Sequence, residues 1–181
     1  MMATPGEEVG MQNMRLADFD ATSDWPLRGP MSWAAQPSVT DNTRLGPFAD
    51  YNYFKPAPNI ATYNVALASA DPASLWGFYR TLLNLRKTNS ALQEGSFRLV
   101  KTTNNTLVFE RADAQQSVVL VINYGSTGES LQIATLPAGV TYVNLFNYQA
   151  SLAPLQTPSN GAAITLAAPA RSIQAFSRAL P

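Results

Sequence analysis

The stretch SVVLVIN, Ser117 to Asn123, is an unbroken apolar run rich in β-branched residues and has no polar face. A strand apolar on both sides belongs in the middle of a sheet with material covering each face. Outward from it lie FRLVK (97–101), TLVFERA (106–112), SLQIATL (130–136), TYVNLFN (141–147), AAITLAA (162–168) and SIQAFSRA (172–179). Between them fall TNN, DAQQ, GSTG, PAG, PSNG and PAR, turn formers at the roughly ten-residue spacing of an all-β sandwich. The expectation is mainly β: an antiparallel Greek-key sandwich over residues 91–181, with Ser117 to Asn123 central and alternating strands such as Thr141 to Asn147 at its sides.

Upstream of the strands the periodicity changes. Asp71 is a candidate cap and Pro72 stands where a missing N–H costs nothing; Leu75, Phe78, Tyr79, Leu82, Leu85 and Arg86 follow at helical spacing. The spacing predicts a helix over Ala73 to Lys87, in a segment spanning 71–89. Its stripe of Leu75, Phe78, Leu82 and Leu85 is expected to be buried, because helices are stabilised mainly by packing such a face. Residues 1–70 instead hold turn formers and few periodic runs. Loops beyond about 15 residues are uncommon in a self-contained domain and usually belong to a functional site or pack on another surface. Within them DWPLRGPMSW, Asp24 to Trp33, carries two tryptophans and two prolines in ten residues without period.

Composition removes several function classes. Twelve basic residues balance twelve acidic ones, so no field exists to draw in nucleic acid or an anionic membrane. The chain has no cysteine and no histidine, which excludes disulfides, thiolate chemistry, imidazole bases and His-ligated zinc. Acid–base chemistry would rest on carboxylates, tyrosine or lysine. MMATPGEEVG has neither a basic flank nor an apolar run, and no run of about 18 apolar residues occurs, so a soluble chain without a signal peptide is expected, its compartment left open.

Five motifs in order carry a resemblance. GEEVGM (Gly6 to Met11), RGPMSW (Arg28 to Trp33), the NV at Asn64, DPASLWGFYRTLLNLR (Asp71 to Arg86) and EGSF (Glu94 to Phe97) resemble the C-terminal part of the α-amylase family of glycoside hydrolases, its α-glucosidase, oligosaccharide hydrolase and bacterial α-amylase branch. The resemblance implies that residues 1–70 follow the eighth strand of a β/α barrel and rim its mouth, that the helix is the last barrel helix, and that the strands form domain C. It implies retaining hydrolysis or transfer of α-glucosidic bonds in an intact enzyme acting on α-glucan or maltooligosaccharide. Its nucleophilic aspartate, acid/base glutamate and stabilising aspartate follow strands that would precede residue 1. Relatives also read P-G-x-P-x-x-Y-Y-G-E-E where this chain has Pro5-Gly6-Glu7-Glu8, and they carry histidines in the sugar subsite.

Retaining hydrolysis needs two carboxyl groups about 5 to 5.5 Å apart. The local pairs Glu7 with Glu8, Asp18 with Asp20 and Asp24 with Asp41 are poor substitutes, since adjacent extended residues point apart. No catalytic residue, metal or cofactor is therefore assigned. For the intact enzyme Arg28 could hold a carboxylate or sugar hydroxyl with its planar fork, the plain alternative being a loop salt bridge. Trp33 stands in the same rim motif, and Tyr51 and Tyr53 could stack glucose rings or simply seal the loop. The expected partners are α-glucan and the barrel portion. An isolated chain is expected to be inactive and to self-associate, with a non-catalytic carbohydrate-binding or assembly module as the second reading.

Overall fold

A computed structural model describes residues 6–13, 31–35, 57–148 and 154–180, and the chain divides into two compact units, Met1–Asn84 and Leu85–Pro181. Among the described residues are two sheets, in which every strand pair is antiparallel. The strands are β1 (Ser96–Thr102), β2 (Thr106–Ala112), β3 (Gln116–Asn123), β4 (Glu129–Ile133), β5 (Thr141–Tyr148), β6 (Leu155–Gln156), β7 (Ile164–Ala168) and β8 (Ser172–Ala179). The helices are α1 (Val65–Ala70), α2 (Leu75–Thr88) and α3 (Ser90–Gln93), with a 3-10 turn at Glu7–Val9.

The larger sheet has the order β1-β2-β3-β8-β5-β6 and the smaller pairs β4 with β7. The doubly apolar β3 is flanked by β2 and β8, as its composition requires. Two faces explain the run: Val119 and Val121 join Leu131, Leu166 and Phe176 in the core shared by the two sheets, while Val118 meets Ala175 and Ala91 of α3 on the opposite face. Each such fully buried aliphatic or aromatic side chain contributes roughly 1.5–3 kcal/mol of transfer free energy. The short β6 escapes sequence reading, because two residues are too few to show a period.

The middle helix begins two residues later than its spacing predicts. Ser74, not Asp71, caps it, since the Ser74 hydroxyl accepts the Gly77 N–H at 3.1 Å while the Asp71 carboxylate accepts the Ala73 N–H at 2.9 Å one turn earlier. The turn through Pro72 folds so closely over the helix that a Cβ on Gly77 would lie 2.2 Å from the Pro72 carbonyl oxygen. The expected burial of the apolar stripe is only partial: Phe78, Leu82 and Leu85 are half-buried, Leu75 is 44% exposed, and Gly77 is the one buried residue of α2. The stripe is real but incompletely covered, because amphipathic spacing fixes a helix and supplies no partner for its face.

Candidate functional site

In the first unit the structure joins three of the sequence motifs. Asn64 is fully buried and caps α1, its side chain accepting the Leu67 N–H at 3.0 Å and donating to the Ile60 carbonyl at 2.8 Å. The next two orphan donors of that helix go to the rim motif: Val65 N–H donates to the Ser32 carbonyl at 2.8 Å and Ala66 N–H to the Trp33 carbonyl at 3.0 Å. A six-residue helix is marginal alone, and these bonds satisfy the amides its first turn leaves open.

The GEEVGM turn is tied to the same place. Asn59 donates from its side-chain amide to the Gly10 carbonyl at 2.9 Å and accepts the Gln12 N–H at 3.0 Å, and the Ser32 N–H donates to the Met11 thioether sulfur at 3.3 Å. Gly10 takes φ 77°, and a Cβ there would stand 2.8 Å from the Tyr63 ring, so two constraints select glycine. Beside this junction lies a cleft of about 180 Å3 lined by Val9, Tyr63, Asn64, Leu67, Asp71 and Leu75.

Of the candidate binding residues, Trp33 lies in this junction; its backbone serves α1 and its ring is 51% exposed. Arg28, Tyr51 and Tyr53 lie outside the described residues, as do Asp18, Asp20, Asp24 and Asp41. Sequence reading missed Asn59 and treated Asn64 only as part of a motif. The available signal for Asn64 was a cap residue followed by VALASA, too short a run to declare a helix.

Most described carboxylates are engaged within their own neighbourhoods. The Glu8 carboxylate accepts the Gly6 N–H at 2.9 Å, and Asp71 serves its turn. In the second unit, Glu110 is buried on the inner face of the sandwich, where it accepts from Arg98 at 2.6 Å and 2.8 Å and from the Ser117 hydroxyl at 2.5 Å. Arg98 also donates to the Thr135 carbonyl at 3.2 Å, linking the larger sheet to the segment after β4. The Ser90 hydroxyl and the Gln115 and Gln116 amides hold the Asp113 carboxyl below its ordinary range, and the Thr103 and Thr106 hydroxyls do the same for Glu129. Burial pushes the Tyr142 phenol up, against the pull of the neighbouring Arg178 cation. Among the described residues no group of three or more carboxylates could hold a metal ion. The arrangement is structural: carboxylates committed to backbone and hydroxyl donors are poor nucleophiles and poor proton carriers.

Comparison with known proteins places this geometry. Residues 99–179 match the family described as "Alpha amylase, C-terminal all-beta domain". A probable oligo-1,6-glucosidase 2 of Bacillus subtilis (strain 168) is 32% identical over 100 residues, covering 54% of this chain and 16% of that protein. An amino acid transporter heavy chain of Mus musculus is 27% identical over 135 residues, covering 71% of this chain and 19% of that one. The crystal structure of trehalulose synthase MutB from Pseudomonas mesoacidophila MX-45 superposes with TM-score 0.68 at 22% identity over 96% of this chain and 34% of its own, which establishes the fold. The chain thus spans about a sixth to a third of the proteins it matches. With the ordered motifs joined in the first unit and the sandwich in the second, residues 99–179 match the C-terminal all-beta domain of the α-amylase family, and the chain is similar to the C-terminal part of the relatives it aligns with.

Proposed function

We propose that the chain serves as the trailing part of an α-glucan-active glycoside hydrolase, a rim segment, a helix and a buttressing sandwich, with hydrolysis or transfer of α-glucosidic bonds carried out by carboxylates that this chain does not supply. The observation that carries the reading is exposed apolar surface on regular elements. Besides Leu75 and Leu83 on α2, Phe97 and Leu99 of β1 and Val143 and Tyr148 of β5 are exposed, all four on the face of the larger sheet that does not contribute to the core between the sheets. Exposed apolar side chains toward both edges of one sheet face suit an interaction surface, and the partner proposed for them is the β/α barrel of the intact enzyme.

Within that reading Trp33 stands at the barrel mouth, and Arg28, Tyr51 and Tyr53 are proposed to contact sugar there. The relatives' names, oligo-1,6-glucosidase and trehalulose synthase, support α-glucosides as the substrate class. The transporter heavy chain supports a second possibility, that such a segment works in assembly without cutting sugar.

The test is a reducing-end assay on maltose, isomaltose and starch with the purified chain alone and after co-expression with the barrel of an oligo-1,6-glucosidase lacking its own C-terminal part. Silence alone and turnover in the pair is the expected result. Turnover by the chain alone overturns the proposal, and calorimetric binding of maltooligosaccharide without turnover in any mixture supports the assembly reading instead.

A further inference from the structure

Asn160 and Gly161 form the sole Asn-Gly pair in the sequence, in the connection between β6 and β7. Asn160, Gly161, Ala162 and Ala163 are all exposed, so water and hydroxide reach the turn from several sides. The side chain of Asn160 is bent back on its own backbone: its Oδ1 accepts the Ala162 N–H at 3.0 Å. Nothing stands within 4 Å of the place a Cβ would occupy on Gly161, so the tip of the turn has open space around the residue that supplies the attacking nitrogen.

From this geometry we infer that Asn160 is a site of spontaneous succinimide formation, converting to aspartyl and isoaspartyl residues in the folded chain. The backbone nitrogen of Gly161 gives up its proton to hydroxide and attacks Cγ of Asn160. The new N–Cγ bond closes a five-membered ring, and negative charge gathers on Oδ1, where the Ala162 N–H already points. A donor fixed on the atom that becomes the oxyanion stabilises the adduct more than the ground-state amide, the general logic of an oxyanion hole. The adduct collapses with cleavage of Cγ–Nδ2, the departing nitrogen taking a proton to leave as ammonia. Water then opens the ring at one carbonyl or the other, giving aspartate or isoaspartate. The sequence consumes one water, releases one ammonia and needs no oxidant or cofactor.

One restraint opposes it. The Gly161 N–H donates to the Pro158 carbonyl at 3.2 Å, a long bond on an acceptor that also takes the Gly139 N–H at 3.1 Å, and it must open before attack. The bond is exposed and local, and the neighbouring Thr157 clamp keeps the base of the turn in place while the tip moves: the Thr157 hydroxyl donates to the Pro137 carbonyl at 2.6 Å and its N–H to the Val140 carbonyl at 2.9 Å. The product adds a negative charge to a chain whose formal net charge is zero. An isoaspartate also routes the main chain through one extra methylene, at the tip of the hairpin-like turn leading into β7.

The experiment incubates the purified full chain in mildly alkaline buffer and follows it by isoelectric focusing and peptide mass mapping, beside the same chain held unfolded in urea. An acidic satellite band should appear, with a gain of one dalton confined at first to the peptide carrying Asn160 and resolved into two isomeric products. Conversion in the folded chain should be at least as fast as in urea, because folding aims the Ala162 donor. Asn160→Gln, which keeps the amide but demands a six-membered ring, should lose the early band, and Gly161→Ala should slow it. Slower conversion folded than unfolded overturns the inference, since the turn would then protect the side chain. So does an unchanged rate in Asn160→Gln, or an earlier gain at Asn104 or Asn105.

Discussion

Single carboxylates among the described residues are taken up by local donors. Asp113 is half-buried, a Ser90 hydroxyl and two backbone amides converge on it, and its carboxyl is held lower than it would be in the unfolded chain. Glu129 is lowered in the same sense by Thr103 and Thr106. A carboxyl depressed in the folded state contributes stability that is complete above its unfolded pKa and is lost as the pH falls through the folded one. Thermal stability should therefore decline on the acid side of the unfolded carboxylate range. Asp113→Asn combined with Glu129→Gln should make that decline shallower while leaving the neutral-pH fold unchanged by circular dichroism. Equal acid slopes in parent and double variant would rule the assignment out. The pairs weighed at the sequence level lacked this information, because the donors that occupy Asp113 and Glu129 come from residues up to 26 positions away.

The elements divide into those that carry their own evidence and those that borrow it. Helix α2 and the seven longer strands announce themselves by period, and Ser117 to Asn123 by having no polar side. Helix α1 does not, since six residues of VALASA become helical only because Asn64 caps them and the carbonyls of Ser32 and Trp33 receive two of their amides. Asn64→Ala removes one acceptor and leaves the half-buried Ile60 carbonyl short of a donor. It should cost about 1–2 kcal/mol in the first unit, read as increased amide exchange at residues 65–68. Exchange unchanged from the parent would mean that the rim carbonyls alone hold the helix. The same division explains α2. Its existence and apolar stripe follow from Leu75, Phe78, Leu82 and Leu85, whereas its start is set by the Ser74 cap and the full covering of that stripe depends on a surface that no local pattern specifies.

At the scale of the molecule the sandwich is the part able to stand by itself. More than three strands share one apolar core, which suffices for independent folding, and the core residues Val108, Val119, Val121 and Tyr142 are completely excluded from solvent. Parts of the helix and of the outer sheet face are not, with Leu83 65% and Phe97 62% exposed. Exposed apolar surface of this kind drives association. Sedimentation of the isolated chain should show weight-average mass rising with concentration, and replacing Phe97, Leu99 and Leu83 together by lysine should return it toward monomer with little loss of thermal stability, since none of the three is buried. A concentration-independent monomer in the parent would contradict the proposed docking role of these faces.

The sequence by itself determined the longer elements and the resemblance to the C-terminal part of α-amylase-family proteins. The periods of 2 and 3.6 residues, the turn formers between strands, and five motifs in fixed order are all properties of local spacing, and local spacing is what a chain displays without folding. Only the tertiary structure decided which of those motifs meet. That Gly10 bonds to Asn59, that Trp33 caps α1, and that Glu110 is spent on Arg98 and Ser117 depend on contacts between residues far apart in the chain, and the stripe of α2 is only half-buried because full burial requires a partner surface that spacing alone cannot supply.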